Sequence, residues 1–308
     1  MIQIKNKIIA LFFFFGVCAT LQAQQESLYT QYMYNTGMFN PAYAGSKKNL
    51  SITGAYRAQW VGIEGAPATI NVSLDSPVAE RVGLGLNILN DKIGPSSQSD
   101  IAANLSYYIP VGEEYTLYFG LRGAVELLNI DFTKLNSEVP QDRSLVNIDN
   151  RISPNAGVGV YFESDYSYLG VSVPSLLQTS YYKSSETSMA KEKQHFYFMA
   201  GYVFELSYNL KFKPAALVKV VSSSPTQIDL SANFLFNEKF TIGAGYRFDA
   251  SVISGMAAFQ VSDKILVGYA YDHNSSVLGR FTSGSHELFL QFTIINFTKT
   301  HRANFRFF

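Results

Sequence analysis

Apolar and polar residues alternate through the stretch from residue 227 to residue 236. The even positions carry the apolar side chains Ile228, Leu230, Ala232, Phe234 and Phe236. The odd positions carry the polar side chains Gln227, Asp229, Ser231 and Asn233, with Leu235 as the single exception. A period of two places these two sets on opposite faces of a β-strand. The stretch therefore predicts a strand with one apolar face and one polar face.

The same alternation recurs from Leu50 onward in segments of about ten residues, which is typical of the strands of transmembrane barrels. The predicted strands lie at residues 51–60, 69–75, 82–88, 101–109, 115–129, 155–162, 166–173, 195–204, 210–220, 227–236, 240–248, 252–261, 265–272 and 287–294. The stretch 252–261 is apolar on both faces, so the pattern does not assign its facing. We expect an all-β transmembrane barrel of about 14 antiparallel strands over residues 49–295.

The connections between the predicted strands differ in length by parity. Short connections fall at residues 77–80, 110–114, 163–165, 205–209, 237–239 and 262–264, and the longest of the others at 130–153, 174–192 and 272–285. Bacterial outer-membrane barrels have short periplasmic turns and longer outer loops. An even strand count returns the chain to the side on which it started. The pattern therefore predicts a barrel in the cell outer membrane with both termini periplasmic.

Composition supports a protein whose outer surface is hidden from water. Charged residues make up 16% of the chain and aromatic residues 15%, whereas soluble domains carry about 25% charged residues. Lys plus Arg and Asp plus Glu both number 24, so no net field favours a nucleic acid partner. No apolar run of about 18 residues follows residue 17, so no transmembrane helix is predicted.

The first 23 residues read as a secretory signal peptide rather than as part of the fold. Lys5 and Lys7 precede an apolar stretch at residues 8–17, and Ala23 offers a small residue for cleavage. The single cysteine, Cys18, lies inside this stretch, and Val17 before it disfavours a lipoprotein signal. The mature chain is therefore expected to contain no disulfide and no thiol nucleophile.

Charges on the polar faces are expected to line the barrel interior. The candidates are Arg57, Arg122, Glu126, Lys219, Asp229, Arg247, Asp249, Asp272 and Glu287. Mixed signs favour a structural ion-pair network, and a selective pore is the alternative. Glycine pairs at 83/85, 157/159 and 243/245 also fall on the polar faces, where we expect them to relieve crowding inside a curved sheet.

The two ends of the barrel differ in character. Residues 296–308 would place Lys299 on the lipid-facing side of a strand, at a cost of roughly 2–4 kcal/mol at mid-bilayer depth, so we expect a periplasmic tail. Residues 24–48 are aromatic, contain many turn formers and have no clean period. We expect this plug-like periplasmic segment to pack in the barrel mouth or against a partner. Candidate partner-binding residues are Tyr32, Tyr34, Phe39, Asn40, Pro41 and Tyr43.

No catalytic, cofactor-binding or metal-binding residues are predicted. His286 and Glu287, near Asp272 and His273, could suggest a metal site or an acid–base pair, but no third ligand lies at a metal spacing. Ser285, His286 and Asp272 could suggest a catalytic triad, but no nucleophile elbow surrounds the serine. An outer-membrane enzyme is therefore the weakest of the functional hypotheses.

Four ordered blocks and an aromatic terminus carry a family resemblance. The blocks are residues 32–46, ending Asn40-Pro41-Ala42-Tyr43-Ala44-Gly45-Ser46; Arg57-Ala58-Gln59-Trp60 with Gly62 and Pro67-Ala68-Thr69; Lys213-Pro214 with Leu217, Lys219 and residues 228–233; and residues 268–272 with 283–287. The terminus is Arg306-Phe307-Phe308. Together they resemble the PorP/SprF family of Bacteroidetes outer-membrane proteins, associated with type IX secretion and gliding motility.

The resemblance implies a function that the residue pattern alone does not supply. It implies a non-catalytic barrel that assists secretion or surface attachment of a large partner adhesin. The implied partners are periplasmic ring lipoproteins of the type IX system and a peptidoglycan-linked lipoprotein, with outer-membrane lipid around the barrel. The alternative from the residues is a passive small-solute channel, favoured by the mixed-charge interior.

Overall fold

The computed structural model describes residues 29–134, 147–177, 193–222 and 224–294. The predicted signal peptide and the predicted C-terminal tail lie outside these residues. Within the described ranges, no helix is long and apolar enough to cross a membrane.

Fifteen strand segments form one antiparallel sheet in the described part of the chain. They are β1 (Leu50–Ala58), β2 (Ala68–Ala79), β3 (Val82–Ile93), β4 (Ser96–Val111), β5 (Tyr115–Ile130), β6 (Ile148–Glu163), β7 (Ser167–Val173), β8 (His195–Tyr202), β9 (Phe204–Ser207), β10 (Leu210–Val221), β11 (Gln227–Phe236), β12 (Phe240–Arg247), β13 (Val252–Ser262), β14 (Ile265–Asn274) and β15 (Ser285–Ile294). Both β8 and β9 pair with β10 and are separated only by Val203, so they make one barrel strand. Counting them together gives 14 strands.

The sheet closes on itself. Each barrel strand pairs with the next along the chain, and β1 pairs with β15 from Leu50↔Ile294 to Ala58↔His286. Closure leaves no sheet edge, so backbone groups that face lipid are hydrogen-bonded within the protein. The predicted closed antiparallel barrel of about 14 strands is confirmed.

The apolar set of each strand faces outward. In β11, Ile228 and Leu230 are exposed on the outer surface, whereas Asp229 and Asn233 are buried inside. The structure also assigns β13, whose facing the sequence left open, because Met256 is buried inside and Ile253 is exposed outside. An apolar outer wall of this kind matches the hydrocarbon core of a bilayer.

The two mouths of the barrel have different connections. The short-turn mouth is formed by residues 80–81, 112–114, 164–166, 208–209, 237–239 and 263–264. Among the described residues, the long-loop mouth is formed by residues 59–67, 94–95, 131–134, 147, 174–177, 193–194, 222, 224–226, 248–251 and 275–284. The connection at 94–95 is a tight turn with Gly94 at φ +53°. The predicted sorting of loop length by parity therefore holds with this one exception.

The chain ahead of β1 forms three single-turn 3₁₀ helices, Tyr32–Tyr34, Thr36–Met38 and Pro41–Tyr43. Asn40 is extended, as a residue before proline prefers to be, and its side-chain oxygen caps the third helix by accepting from Ala42 N at 3.0 Å. We call residues 29–47 the interior segment, because they lie inside the barrel and pack against β4, β5 and β6.

Candidate functional site

The interior segment runs from one mouth of the barrel to the other. Three contacts with β15 show its course from the short-turn mouth toward the long-loop mouth. Nearest the short-turn mouth, Lys47 Nζ donates to Gln291 Oε1 (3.1 Å), and the Tyr34 ring then stacks on Phe289 (4.5 Å between centroids). Nearest the long-loop mouth, Thr30 N donates to Glu287 Oε2 (2.9 Å). Gly45 lies near the short-turn mouth, because it is beside Gly83, next to the turn between β2 and β3. The segment therefore crosses the lumen with Thr30 at the long-loop end and Lys47 at the short-turn end.

A buried cluster of charged side chains binds the end of the segment that lies toward the long-loop mouth. Arg57 Nη2 lies 2.6 Å from Asp272 Oδ2, and Arg57 Nη1 lies 3.0 Å from Glu287 Oε2. The Thr30 hydroxyl donates to Asp272 Oδ1 at 2.7 Å, and the Gln31 backbone N–H donates to Glu287 Oε1 at 3.0 Å. We call Thr30, Arg57, Asp272 and Glu287 the anchor cluster. Its ions are at most 3% exposed, so each depends on its partners to offset the loss of water.

Five of the other six charges predicted to line the interior lie there, and the prediction for the sixth, Asp249, is wrong. Arg247 Nε contacts Asp229 Oδ1 at 2.7 Å, and the Arg122 guanidinium contacts Asp100. Glu126 and Lys219 are both 5% exposed. By contrast Asp249, in the connection after β12, is exposed at the long-loop mouth. The ion pairs join different strands of the wall, which is the arrangement expected of a structural network.

Polar side chains of the barrel wall satisfy the backbone of the segment. Asn87 and Asn104 both donate to the Gly37 carbonyl, at 3.1 and 3.0 Å. Ser172 Oγ donates to the Phe39 carbonyl at 2.7 Å. Buried carbonyls need such partners, because an unpaired one costs about 1–3 kcal/mol. The sequence shows these residues as polar members of the inward faces, but nothing in the pattern marks them as contacts of the segment.

Glycines in the wall make room for the segment. A Cβ added to Gly83 would lie 2.1 Å from Ala44 O, and one added to Gly120 would lie 2.1 Å from Ala42 N. At Gly159 the added atom would lie 2.1 Å from Asn40 Oδ1. The expectation that Gly83 and Gly159 relieve crowding within the sheet was therefore incomplete, since what crowds these positions is the segment itself.

The aromatic candidates for partner binding point into the wall. Tyr43 packs edge-on against Tyr161 with ring centroids 5.4 Å apart, and Phe39 lies 5.3 Å from the Tyr197 ring. Buried in the same way are Tyr32, Asn40 and Pro41, whereas Tyr34 is half-buried against Phe289. Their contacts are therefore with the barrel in this state. Direct partner binding by these side chains stays a prediction, and it would require the segment to leave the lumen.

Small spaces remain beside the segment. Two cavities that Tyr29 and Tyr32 help to line have volumes of about 10 Å³ each, enough for roughly one water molecule. One adjoins Arg247 and the other adjoins Glu287. Each of these two spaces is therefore too small for a ligand larger than water.

The residues that could suggest a metal site or a catalytic triad are split between the two faces of the wall. His286 Nδ1 lies 2.6 Å from the Tyr269 hydroxyl on the exposed side of β15, whereas Glu287 points into the anchor cluster. Ser285 Oγ accepts from the backbone N–H of Trp60 at 3.2 Å. Among the described residues, no three His, Cys, Asp or Glu side chains are grouped so as to hold a metal ion.

The comparison with protein families gives a clear match. The family described as "Type IX secretion system membrane protein PorP/SprF" matches residues 21–292. The chain belongs to this family. Its description is that of a secretion-system membrane protein rather than an enzyme. PorP/SprF membership agrees with the resemblance carried by the ordered blocks, which include both the interior segment and the strands around the anchor cluster.

Solved structures resemble this PorP/SprF protein at low sequence identity. The CymD monoaromatic hydrocarbon channel is 14% identical with a TM-score of 0.49, covering 85% of this chain and 93% of its own. The Ralstonia pickettii toluene transporter TbuX is 8% identical with a TM-score of 0.48, covering 83% and 91%. A Pseudomonas aeruginosa FadL homologue is 11% identical with a TM-score of 0.43, covering 83% and 93%. No curated protein matches the sequence.

Proposed function

We propose that this barrel is a non-catalytic component of the type IX secretion and gliding machinery that assists secretion or surface attachment of a partner adhesin. The observation that carries the proposal is a lumen occupied by the chain's own residues 29–47 within a PorP/SprF barrel. A barrel built around a fixed interior segment suits a docking and retention role. Partner proteins would then bind at the two mouths of the barrel.

The same observation argues against the alternative of a passive small-solute channel. Of the charges predicted to line a pore, Arg247 is ion-paired with Asp229, and Arg57, Asp272 and Glu287 belong to the anchor cluster. The segment is held along its length by wall side chains, of which Asn87 and Ser172 are examples. A conducting lumen would require these contacts to be broken.

We infer the orientation of the barrel in the outer membrane from the lengths of its loops. We place the short-turn mouth in the periplasm and the long-loop mouth at the cell surface, as in bacterial outer-membrane barrels. Periplasmic ring lipoproteins and the peptidoglycan-linked lipoprotein would then meet the short turns, where Tyr208 is 98% exposed. The adhesin would meet the long loops, where Val277 and Phe281 are each 70% exposed.

The test combines a surface inventory with co-purification. Deletion of the gene should remove one large secreted protein from the cell surface, and a plasmid copy should restore it. An affinity-tagged copy, extracted in mild detergent, should co-purify with the ring lipoproteins, whereas an unrelated tagged barrel from the same membrane should not. An unchanged set of surface proteins together with absent ring proteins would refute the proposal.

A further inference from the structure

Three hairpins at the short-turn mouth extend three or more residues past the last backbone hydrogen bond to the strand or turn beside them. The projecting stretches are residues 76–79 of β2, 109–111 of β4 and 204–207 of β9. For β9, the last such bond is the one that Val203 N donates to Tyr166 O at 2.7 Å. Beyond it, β9 pairs only with β10. Within the described part of the chain, each of these stretches therefore has one edge without a partner strand.

Proline blunts two of these edges but not the third. Pro77 lies in the projecting stretch of β2, and Pro110 lies in that of β4. A proline has no backbone N–H, and natural sheets use it to keep an exposed edge from pairing with another chain. The sequence of β9 is Phe-Glu-Leu-Ser, so each of its residues retains its N–H, and all four are exposed. The edge of β9 is therefore the projecting edge that is still equipped to accept another strand.

The side chains of β9 give its two faces different chemistry. On one face, the centroid of the Phe204 ring lies 4.6 Å from that of Tyr202 and 6.1 Å from that of Phe212. On the other face, the Glu205 carboxylate lies 3.7 Å from Lys211 Nζ. Consecutive residues of a strand point to opposite faces. A strand added beside β9 would therefore meet an aromatic row on one face and a carboxylate on the other.

The rim of the barrel beside this edge is acidic. The next two turns around the mouth carry exposed carboxylates and no Lys or Arg: they are residues 164–166, with Asp165, and residues 112–114, with Glu113 and Glu114. Lys211 is shared between Glu205 and Glu238, so the hairpin itself adds no positive charge in excess. Across the mouth the signs are mixed, as in Asp263-Lys264. The local negative charge favours a basic partner.

We propose that β9 is a docking edge for an extended peptide segment of another protein, in which apolar and basic side chains alternate. Main-chain hydrogen bonds to β9 supply affinity, while the aromatic row and the carboxylates select the side chains. The occupant is not a second copy of this barrel, because two copies would bring the same acidic rims together. With the orientation argued under the proposed function, the edge faces the periplasm. The docking itself does not depend on the type IX assignment.

The test uses the full-length barrel in mild detergent and a fluorescent hexapeptide of alternating lysine and valine. A matched peptide has glutamate in place of lysine, and a third has alternate main-chain amides replaced by esters, which cannot donate. The lysine–valine peptide should bind saturably in fluorescence anisotropy, and the glutamate peptide should bind at least about tenfold more weakly. The ester peptide should bind about fivefold more weakly or worse, because main-chain hydrogen bonds are lost.

Variants of the barrel locate the binding site. Leu206→Pro gives β9 the residue that blunts the other two edges, at a bulge where Leu206 has no cross-strand partner in β10. It should weaken binding of the lysine–valine peptide about tenfold. The double variant Glu113→Gln with Glu114→Gln should weaken it severalfold, whereas Asp263→Asn, across the mouth, should leave it unchanged. Heat-modifiable migration in gels checks that each variant is folded, and the peptide comparison decides the question even where Leu206→Pro does not fold.

Several outcomes would overturn the proposal. Absence of saturable binding would do so, as would equal binding of the ester peptide or of the glutamate peptide. Binding that neither Leu206→Pro nor the double glutamate variant weakens would place the peptide elsewhere on the barrel. Self-association of the protein alone that Leu206→Pro abolishes would assign the edge to a second copy. None of these results bears on the type IX assignment, because the assay contains only the barrel and the probe.

Discussion

Arg57 of β1 and Asp272 of β14 form an ion pair of 2.6 Å across the intervening strand β15, which contributes Glu287 to the same guanidinium. The pair is buried, so removal of the cation alone leaves two buried carboxylates without their counterion. We predict that Arg57→Leu lowers the free energy of unfolding by about 3–5 kcal/mol. The measurement is urea unfolding of the refolded barrel in detergent, followed by the fluorescence of Trp60, the only tryptophan.

The matched control for this variant is an exposed ion pair. Lys211 lies 2.8 Å from Glu238 at the short-turn mouth, and the Glu238 side chain is 55% exposed. Lys211→Ala should therefore cost about 1 kcal/mol or less. Equal effects of the two variants would show that the anchor cluster has no special role in stability.

The close approach of Gly120 to the segment gives a second prediction. Gly120→Ala places a methyl group 2.1 Å from Ala42 N, and backbone on both sides leaves little room to move. We expect a loss of about 1–3 kcal/mol in the free energy of unfolding. Gly123→Ala, in the same strand, meets nothing within 4 Å and should be nearly neutral. A neutral Gly120→Ala would mean that the segment is not seated against β5 as described.

Occupation of the lumen predicts the electrical behaviour of the barrel. Purified full-length protein should be silent in planar bilayers, whereas a variant that lacks residues 30–46 should show steady open currents. The reason is that the ion-paired wall stays in place while the segment that fills the lumen is removed. A variant shortened at residues 277–281, at the long-loop mouth, is the control and should stay silent. Steady currents from the full-length protein would favour the channel alternative.

The outer wall gives a prediction about lipid. Leu290 lies in the middle of β15 with 52% of its side chain exposed on the outer face. Leu290→Lys should reduce the free energy of unfolding in phospholipid vesicles by about 2–4 kcal/mol, because a charge near the bilayer midplane is costly. Phe281→Lys, at the long-loop mouth, should have little effect. Equal stability of both variants would contradict a lipid-facing position for Leu290.

The strands and their facing were predictable because a period of two is a local signal. Ile228 and Asp229 are neighbours in sequence and lie on opposite sides of the wall, so alternation alone orients them. Where both faces are apolar, as in β13, the pattern gave no answer, and the position of Met256 inside the barrel had to come from packing.

The contacts of the interior segment were not predictable from the pattern. Thr30 and Asp272 are 242 residues apart in sequence, and no periodicity links them. The sequence indicated only that an aromatic segment would not remain in water and that charges of both signs lie inside. Its course through the lumen depends on the shapes of wall positions such as Gly120 and Gly159, where a missing Cβ admits backbone or an amide. The space beside these glycines is enclosed only when the barrel has closed.

The pairing of β1 with β15 has a consequence for how the protein is made. These are the first and last strands of the ring, and the segment that lies inside the ring is joined directly to β1. If the ring closed empty, the leading end of the polypeptide would have to be drawn lengthwise through a finished cylinder. If the sheet is still open, the same residues can settle sideways onto its concave surface before the final seam forms. Biogenesis is therefore expected to proceed in that order, with the last strand locking in place the residues that precede the first strand.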